Sequence, residues 1–138
     1  MKTKNSQPSK NKSKQDELIK AGESFARADN LEKALDCYSQ ALDCLVAAAK
    51  AYAQNSEPQT MRAVFGSGKL SEIYLQKFNE YLKKDQVASI ISNNMGVIFA
   101  RMGNKVSAKT FFEQAIDLTP DGITYDDPHI GLQTLGSM

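Results

Sequence analysis

The sequence contains no tryptophan, only one histidine and only two cysteines, and these scarcities limit its chemistry. One histidine is too few for the nucleophile and base sets that hydrolases use, and it adds little to two cysteines as metal ligands. Cys37 and Cys44 are seven positions apart in a segment with helical periodicity. On a helix they would be separated by about 10 Å along the axis, so we expect two reduced thiols. We therefore predict a protein that is not an enzyme and that holds no cofactor or metal.

Long apolar runs are also missing. No stretch approaches the roughly 20 apolar residues of a membrane-spanning helix, and the N-terminus lacks the apolar stretch of a secretory signal. A hydrophobic fraction of 41% and a charged fraction of 24% are typical of a globular protein. A chain of 138 residues is long enough for one domain. We expect a cytoplasmic protein with a single core.

The N-terminal segment is basic and polar. Residues 1–15 contain five lysines, no acidic residue and no aromatic side chain. Such a segment cannot bury enough apolar surface to offset its ordering entropy. We predict a disordered basic tail over residues 1–15 and a folded domain over residues 16–138. The lysines could contact nucleic acid, an acidic partner or a membrane, but the lack of arginine and interleaved aromatics favours a solvating tail.

Apolar residues recur at spacings of three and four in two stretches, which predicts two helical hairpins. Asp29-Asn30 separates the helices of the first hairpin, and Gly103-Asn104 separates those of the second. Laying Gly22 on Gly96 superposes the stretches at a constant offset of 74 positions. The other superposed pairs are Phe25 and Phe99, Ala34 and Ala108, Tyr38 and Phe112, and Ala41 and Ala115. The glycines and alanines would let helices approach closely, the rings would fill the gap to a neighbour, and the hairpins would stack.

These positions resemble the 34-residue unit of the tetratricopeptide repeat (TPR) family. Residues 89–122 match nearly all of the pattern, whereas residues 15–48 have Asp29 in place of the second glycine and Val46 in place of the proline. The matching positions of the later unit are Gly96, Phe99, Gly103, Ala108, Phe112, Ala115 and Pro120. The resemblance covers about half of the chain and implies an all-α fold, a short α-solenoid.

The segment between the two repeats is unusually long. With Val46 at the usual helix end, the second helix should overrun to about six turns. Residues 49–88 would then form a degenerate middle hairpin between the two clear repeats, although residues 49–65 could also extend the previous helix. A C-terminal helix at roughly 128–135 would cap the last repeat. It would use Ile130, Leu132 and Leu135 for this.

Two short motifs suggest chemistry at first sight. Gly66-Ser67-Gly68-Lys69 is similar to the end of a phosphate-binding loop, but that loop needs an earlier glycine and a Ser or Thr after the lysine. Ala63 and Leu70 occupy those positions. We therefore interpret the glycines as an interhelical turn. Asp126, Asp127 and His129 surround Pro128 in the pattern of a helix start rather than of a metal or catalytic site.

In TPR proteins the first helices of successive repeats line a concave groove, so the resemblance implies a partner-binding surface. Asn94 occupies a position that commonly holds a peptide backbone, and Arg27 and Arg101 are equivalent positions that could meet an acidic partner. The main candidates are Lys20, Glu23, Arg27, Asn93, Asn94, Val97 and Arg101. The remaining residues at groove-facing positions of these two repeats are Asp16, Ile19, Ala26, Ile90 and Ala100.

The sequence thus predicts a non-catalytic adaptor or scaffold that binds a peptide or helix of a partner protein. A cochaperone role is disfavoured because Glu23 would repel an acidic peptide tail. One alternative is a structural subunit, in a homo- or hetero-oligomer held through the repeat ends, since the C-terminal GLQTLGSM is apolar and uncharged. Another is attachment to nucleic acid or a membrane through the lysine tail.

Overall fold

The structure is a computed structural model that describes residues 6–56 and 72–137. Every regular element in these residues is an α-helix, so the prediction of an all-α fold is confirmed. The helices are α1 (Ser6–Arg27), α2 (Leu31–Ser56), α3 (72–82), α4 (Val87–Arg101), α5 (Lys105–Asp117) and α6 (Asp127–Ser137). None of the described helices combines the length and the apolar character needed to cross a bilayer.

The turns of the two hairpins have the same backbone geometry. Asp29 has a φ of +62° and Gly103 has a φ of +81°, both in the left-handed region that lets a helix end sharply. Asn30 Oδ1 accepts a hydrogen bond of 3.4 Å from the Lys33 N–H at the start of α2. Asn104 Oδ1 accepts the equivalent bond of 3.1 Å at the start of α5. These side chains cap helix N-termini, and the repeat found in the sequence extends to these local contacts.

A glycine and an aromatic ring hold the two helices of each hairpin together. A Cβ atom at position 22 would lie 2.9 Å from Cε1 of Tyr38, and one at position 96 would lie 2.7 Å from Cδ1 of Phe112. Neither distance leaves room for a side chain. Phe112 also contacts the next element, since a Cβ at Gly131 of α6 would lie 2.5 Å from its Cζ. The rings therefore pack within their own hairpins, and that of Phe112 also reaches a neighbour.

Helices α2 and α4 pack directly against each other and share one core. Its buried side chains from α2 are Ala34, Tyr38, Ala41, Leu45 and Ala49, and those from α3 and α4 are Leu82, Ala88, Ile91, Met95 and Ile98. The two hairpins α1–α2 and α4–α5 are thus direct neighbours. The sequence predicts a degenerate hairpin between them, whereas in the structure α2 contacts α4 directly.

The long α2 explains the difference. It continues for 26 residues to Ser56, about seven turns and 39 Å. The predicted overrun is therefore confirmed, about one turn longer than the six expected, and residues 49–56 extend α2. Tyr52 packs against Tyr81 of α3 with ring centroids 5.5 Å apart, and Ala53 is fully buried. Because the chain leaves the hairpin along α2, α3 packs beside this extension. Residues 57–71, including Gly66-Ser67-Gly68-Lys69, lie outside the described residues.

Near the N-terminus, the first helix begins before the position that the sequence predicts. Helix α1 begins at Ser6, within the segment assigned to the basic tail. The side chains of Lys12, Ser13 and Lys14 are exposed, so residues 12–14 continue the helix with polar side chains in solvent. Residues 1–5 lie outside the described residues.

Helix α6 packs against α5 and α4 and follows the predicted capping helix closely in its bounds. Pro128 lies in its first turn and is buried. Leu132 and Leu135 are half-buried, whereas Ile130 is 55% exposed. Ile130 therefore does not cover the last hairpin as expected. The close contact is made instead by Gly131, which brings α6 onto the Phe112 ring.

Candidate functional site

A cavity of about 330 Å³ opens between α4, α5 and α6. Its walls are mainly apolar, and a few polar or charged side chains join them. The apolar lining residues are Val97, Ala100, Phe112, Ile130, Gly131 and Leu135, and the others are Asn93, Arg101, Asp127 and Thr134. A small apolar cavity with a few polar groups has the general character of a ligand site.

Asn93 is the most unusual of these lining residues. It is only 5% exposed, and its side chain makes a hydrogen bond with the Tyr125 hydroxyl. Its Oδ1 is buried and has no hydrogen-bond partner among the residues that the structure describes. A buried acceptor without a partner costs about 1–3 kcal/mol of stability. A residue of the cavity wall therefore carries one unused hydrogen-bond acceptor, which is shielded from solvent in the unbound protein.

Tyr125 interacts with the Asn93 side chain. Burial raises the pKa of Tyr125 to about 12, and the nearby Asp127 carboxylate adds to the increase, while the hydrogen bond from Asn93 opposes it. The phenol is therefore protonated throughout the physiological pH range. The contact between Asn93 and Tyr125 is unaffected by pH changes near neutrality.

A second set of polar residues influences the pKa of Tyr38. Burial raises the pKa of this phenol, the Glu23 carboxylate raises it further, and both the Arg27 guanidinium and a hydrogen bond with Asn94 lower it. Glu23 and Arg27 of α1 and Asn94 of α4 thus all influence the same phenol. Asn94, which the resemblance assigns to a peptide backbone, is already bonded to a buried side chain of the protein.

Arg101 joins the two hairpins. Its Nη2 lies 2.9 Å from Oδ1 of Asp29, in the turn between α1 and α2. Its side chain remains 40% exposed and also lines the cavity. This arginine, predicted to meet an acidic partner, already has an acidic partner within the chain.

The predicted site residues therefore fall into two groups. Asn93, Val97 and Arg101 meet at the cavity, whereas Glu23, Arg27 and Asn94 influence the pKa of the Tyr38 phenol. Lys20 is exposed on α1.

The contribution of α6 was missed by the sequence analysis, which treated this helix only as a cap. Asp127, Gly131, Thr134 and Leu135 all line the cavity. Gly131 is the signal that could have shown it, because a glycine inside a helix often marks a close approach of another element.

The acidic cluster before α6 starts a helix. Asp127 lies in the first turn of α6, and the Asp126 carbonyl accepts a 3.0 Å hydrogen bond from the Ile130 N–H. Within residues 6–56 and 72–137, no group of three or more histidine, cysteine, aspartate or glutamate side chains could hold a metal ion.

Comparison of the chain with family models, curated proteins and solved structures finds no match.

Proposed function

We propose that the protein is a non-catalytic interaction module, an adaptor or scaffold of the cytoplasm, that binds a peptide or helix of a partner protein. The surface involved is formed by α1, α4 and α6. The observation that carries the proposal is the cavity between α4 and α6, because four of the residues that the TPR resemblance assigns to a groove line it. These residues are Asn93, Val97, Ala100 and Arg101.

Exposed apolar side chains at the cavity support this proposal. Val97 is 39% exposed and Ile130 is 55% exposed, and both line the cavity. Apolar side chains that cluster around a concavity are typical of protein interaction surfaces. A partner that buries both would remove this apolar area from water, which stabilises a complex.

The packing of the helices also supports a TPR-like arrangement. The two hairpins share their turn geometry and their glycine–ring contacts. Helix α4 packs against α2, and α6 packs against α5 and α4. This resembles two stacked units followed by a helix in the position of the next first helix. In that arrangement α1, α4 and α6 are the helices that face a groove.

The polar groups of the cavity favour binding over catalysis. The Thr134 hydroxyl donates a 2.9 Å hydrogen bond to the Ile130 carbonyl of its own helix, and Arg101 is paired with Asp29. The amide of Asn93 does not titrate, and Thr134, whose hydroxyl also lines the cavity, is seven positions from Asp127 along α6, about 10 Å along the helix axis. A nucleophile within reach of a base, which covalent catalysis needs, is not formed by these residues.

Site-specific photo-crosslinking tests the proposal. The photoreactive residue p-benzoylphenylalanine is introduced in place of Val97, at the cavity, or in place of Val106, which is 80% exposed at the start of α5 and does not line the cavity. We expect one partner to be cross-linked in the cell of origin from position 97 and not from position 106. Equal cross-linking from both positions would contradict the proposal. Cross-linking only from Gln133, exposed on α6 and not a cavity residue, would favour a subunit held through the repeat end.

A further inference from the structure

We propose that the cavity between α4 and α6 takes the side chain of a tryptophan from the partner, with the indole N–H donated to Asn93 Oδ1. This inference rests on the proposed function, and it adds the chemistry of the residue that is recognised. Two independent observations carry it. One is the apolar cavity, and the other is the buried acceptor of a cavity residue that has no partner among the described residues.

The unused acceptor requires a donor. Buried polar atoms in proteins are nearly always hydrogen-bonded, and the neighbouring Tyr125 hydroxyl, which interacts with the Asn93 side chain, does not serve this oxygen. The remaining polar residues of the cavity do not serve this atom. Thr134 donates to the Ile130 carbonyl, and Arg101 donates to Asp29. A ligand that enters the cavity with a donor group would therefore satisfy a group that the protein alone leaves unpaired.

The apolar walls decide which donor fits. A lysine or arginine would bring a charge into an apolar space, which costs free energy unless the charge is paired. Serine and threonine hydroxyls carry too little apolar surface to fill the space. A tyrosine hydroxyl and a neutral histidine are acceptors as well as donors, so each would bring a new acceptor that needs a donor. The indole of tryptophan is a donor only, on a large apolar ring.

The size and position of the cavity agree with a single side chain. Its 330 Å³ lies near the lower end of the range for ligand sites. Val97 and Ile130 would contact the ring faces or edges at the opening. Asn93 Oδ1 is shielded in the unbound protein, so the proposal includes a small rotation of this amide when the indole enters, a change that is common at interfaces.

The occupant lies outside this sequence. The sequence contains no tryptophan, so a second copy of this sequence cannot supply the ring. The same fact gives a clean assay, because the indole of an added probe is then the only tryptophan fluorophore in the sample. Burial of an indole in an apolar cavity shifts its emission to shorter wavelength.

The first experiment is a titration of N-acetyl-L-tryptophanamide with the full chain, followed by fluorescence. We expect a saturable blue shift. The matched probe is the same compound with a methyl group on the indole nitrogen, which keeps the ring and removes the donor. It should bind at least about fivefold more weakly, because a lost hydrogen bond to a buried acceptor has that effect on affinity. N-acetyl-L-tyrosinamide, used as a competitor, should displace the indole poorly.

Three variants test whether the fluorescence shift depends on the cavity and whether probe binding depends on the Asn93 acceptor. Thr134→Phe fills the cavity from an exposed position on α6 and should abolish the shift, whereas Gln133→Phe adds the same ring outside the cavity and should leave it unchanged. Asn93→Leu removes the acceptor, so the two probes should then bind equally. Circular dichroism confirms that each variant is folded. Because the Asn93→Leu result compares two probes on one protein, a general loss of stability would not mimic it.

Specific results would overturn the inference. These are the absence of a saturable shift up to the solubility limit of the probe, equal binding of the two probes by the unaltered protein, or an unchanged shift in Thr134→Phe. If any of these occurs while Val97 still cross-links a partner, the adaptor function stands and the tryptophan inference is wrong. If the indole binds as expected and Val97 gives no cross-link, the recognition chemistry stands and the adaptor function is wrong.

Discussion

Arg101, at the end of α4, contacts Asp29 in the turn between α1 and α2, with Nη2 and Oδ1 2.9 Å apart. Asp29 is also the described non-glycine residue with a positive φ, +62°. One residue thus reverses the chain inside the first hairpin and connects that hairpin to the second. The backbone at position 29 favours glycine, which the TPR pattern has there, whereas the ion pair requires a carboxylate.

Substitutions at Asp29 should separate these two effects. Because the ion pair is exposed, its loss in Asp29→Asn should cost less than about 1 kcal/mol. Asp29→Gly loses the same pair but relieves the backbone, so its stability should match or exceed that of Asp29→Asn. Asp29→Ala should be less stable than Asp29→Gly by about 1 kcal/mol, since a Cβ is strained at this φ. Urea unfolding measures all three. A glycine variant as unstable as the alanine variant would show that the backbone at position 29 is not strained.

The glycine–ring contact should make Gly96→Ala destabilising despite the better helix propensity of alanine. Overpacking against Phe112 costs about 1–3 kcal/mol, and the propensity gain of up to about 1 kcal/mol offsets only part of it. Gly136→Ala is the matched control, because a Cβ there meets no atom of the described residues within 4 Å. That variant should be neutral or stabilised in thermal unfolding. Adding Phe112→Leu to Gly96→Ala should cost less than the sum of the two single changes, and strict additivity would argue against the contact.

The extension of α2 should behave as part of the packed core. Ala53 is fully buried, whereas its near neighbour Ala51 is exposed. Ala53→Asp should cost about 3 kcal/mol or more, because it places an unpaired charge in an apolar environment. Ala51→Asp has the same helix-propensity penalty and should cost less than about 1 kcal/mol. Urea midpoints compare them. Equal effects would mean that the α2 extension contributes no packing.

The stability of the protein should fall at alkaline pH through Tyr125. Its folded pKa of about 12 lies above the value of about 10 of an unfolded chain. The phenol is therefore deprotonated more easily when the chain unfolds. The stability that depends on the protonated phenol is complete below about pH 10 and is lost as the pH rises toward 12. The difference in unfolding free energy between the unaltered protein and Tyr125→Phe should shrink between about pH 9 and pH 11.5. A constant difference would contradict the raised pKa.

Much of the local structure follows from the sequence, because it depends on neighbouring residues. The periodicity of apolar side chains gives the helices, and the glycine and aromatic pairs give the close contacts within each hairpin. The course of residues 49–86 does not follow in this way. It depends on which surface receives the α2 extension, and Tyr52, Ala53 and Tyr81 determine this only after the chain has folded.

Only part of the candidate site can be predicted from the sequence, for a similar reason. Asn93, Val97 and Arg101 follow from the repeat pattern. The different environments of Asn93 and Asn94 do not, because adjacent residues on a helix point in directions about 100° apart. Which of them meets Tyr38 depends on how α4 crosses α2. The cavity also needs α6, whose Gly131 sets its distance from Phe112.

The contacts of Gly22 with Tyr38 and of Gly96 with Phe112 have a mechanical consequence. In each pair, the ring packs directly on the backbone of a glycine. The two helices cannot slide or separate without losing that contact, so each hairpin should move as a rigid body. The joint between the hairpins includes an exposed ion pair between Asp29 and Arg101, which breaks and re-forms at small energetic cost. Most of that joint is the core shared by α2 and α4, so any change in curvature should come from small shifts within this core while each hairpin keeps its own shape.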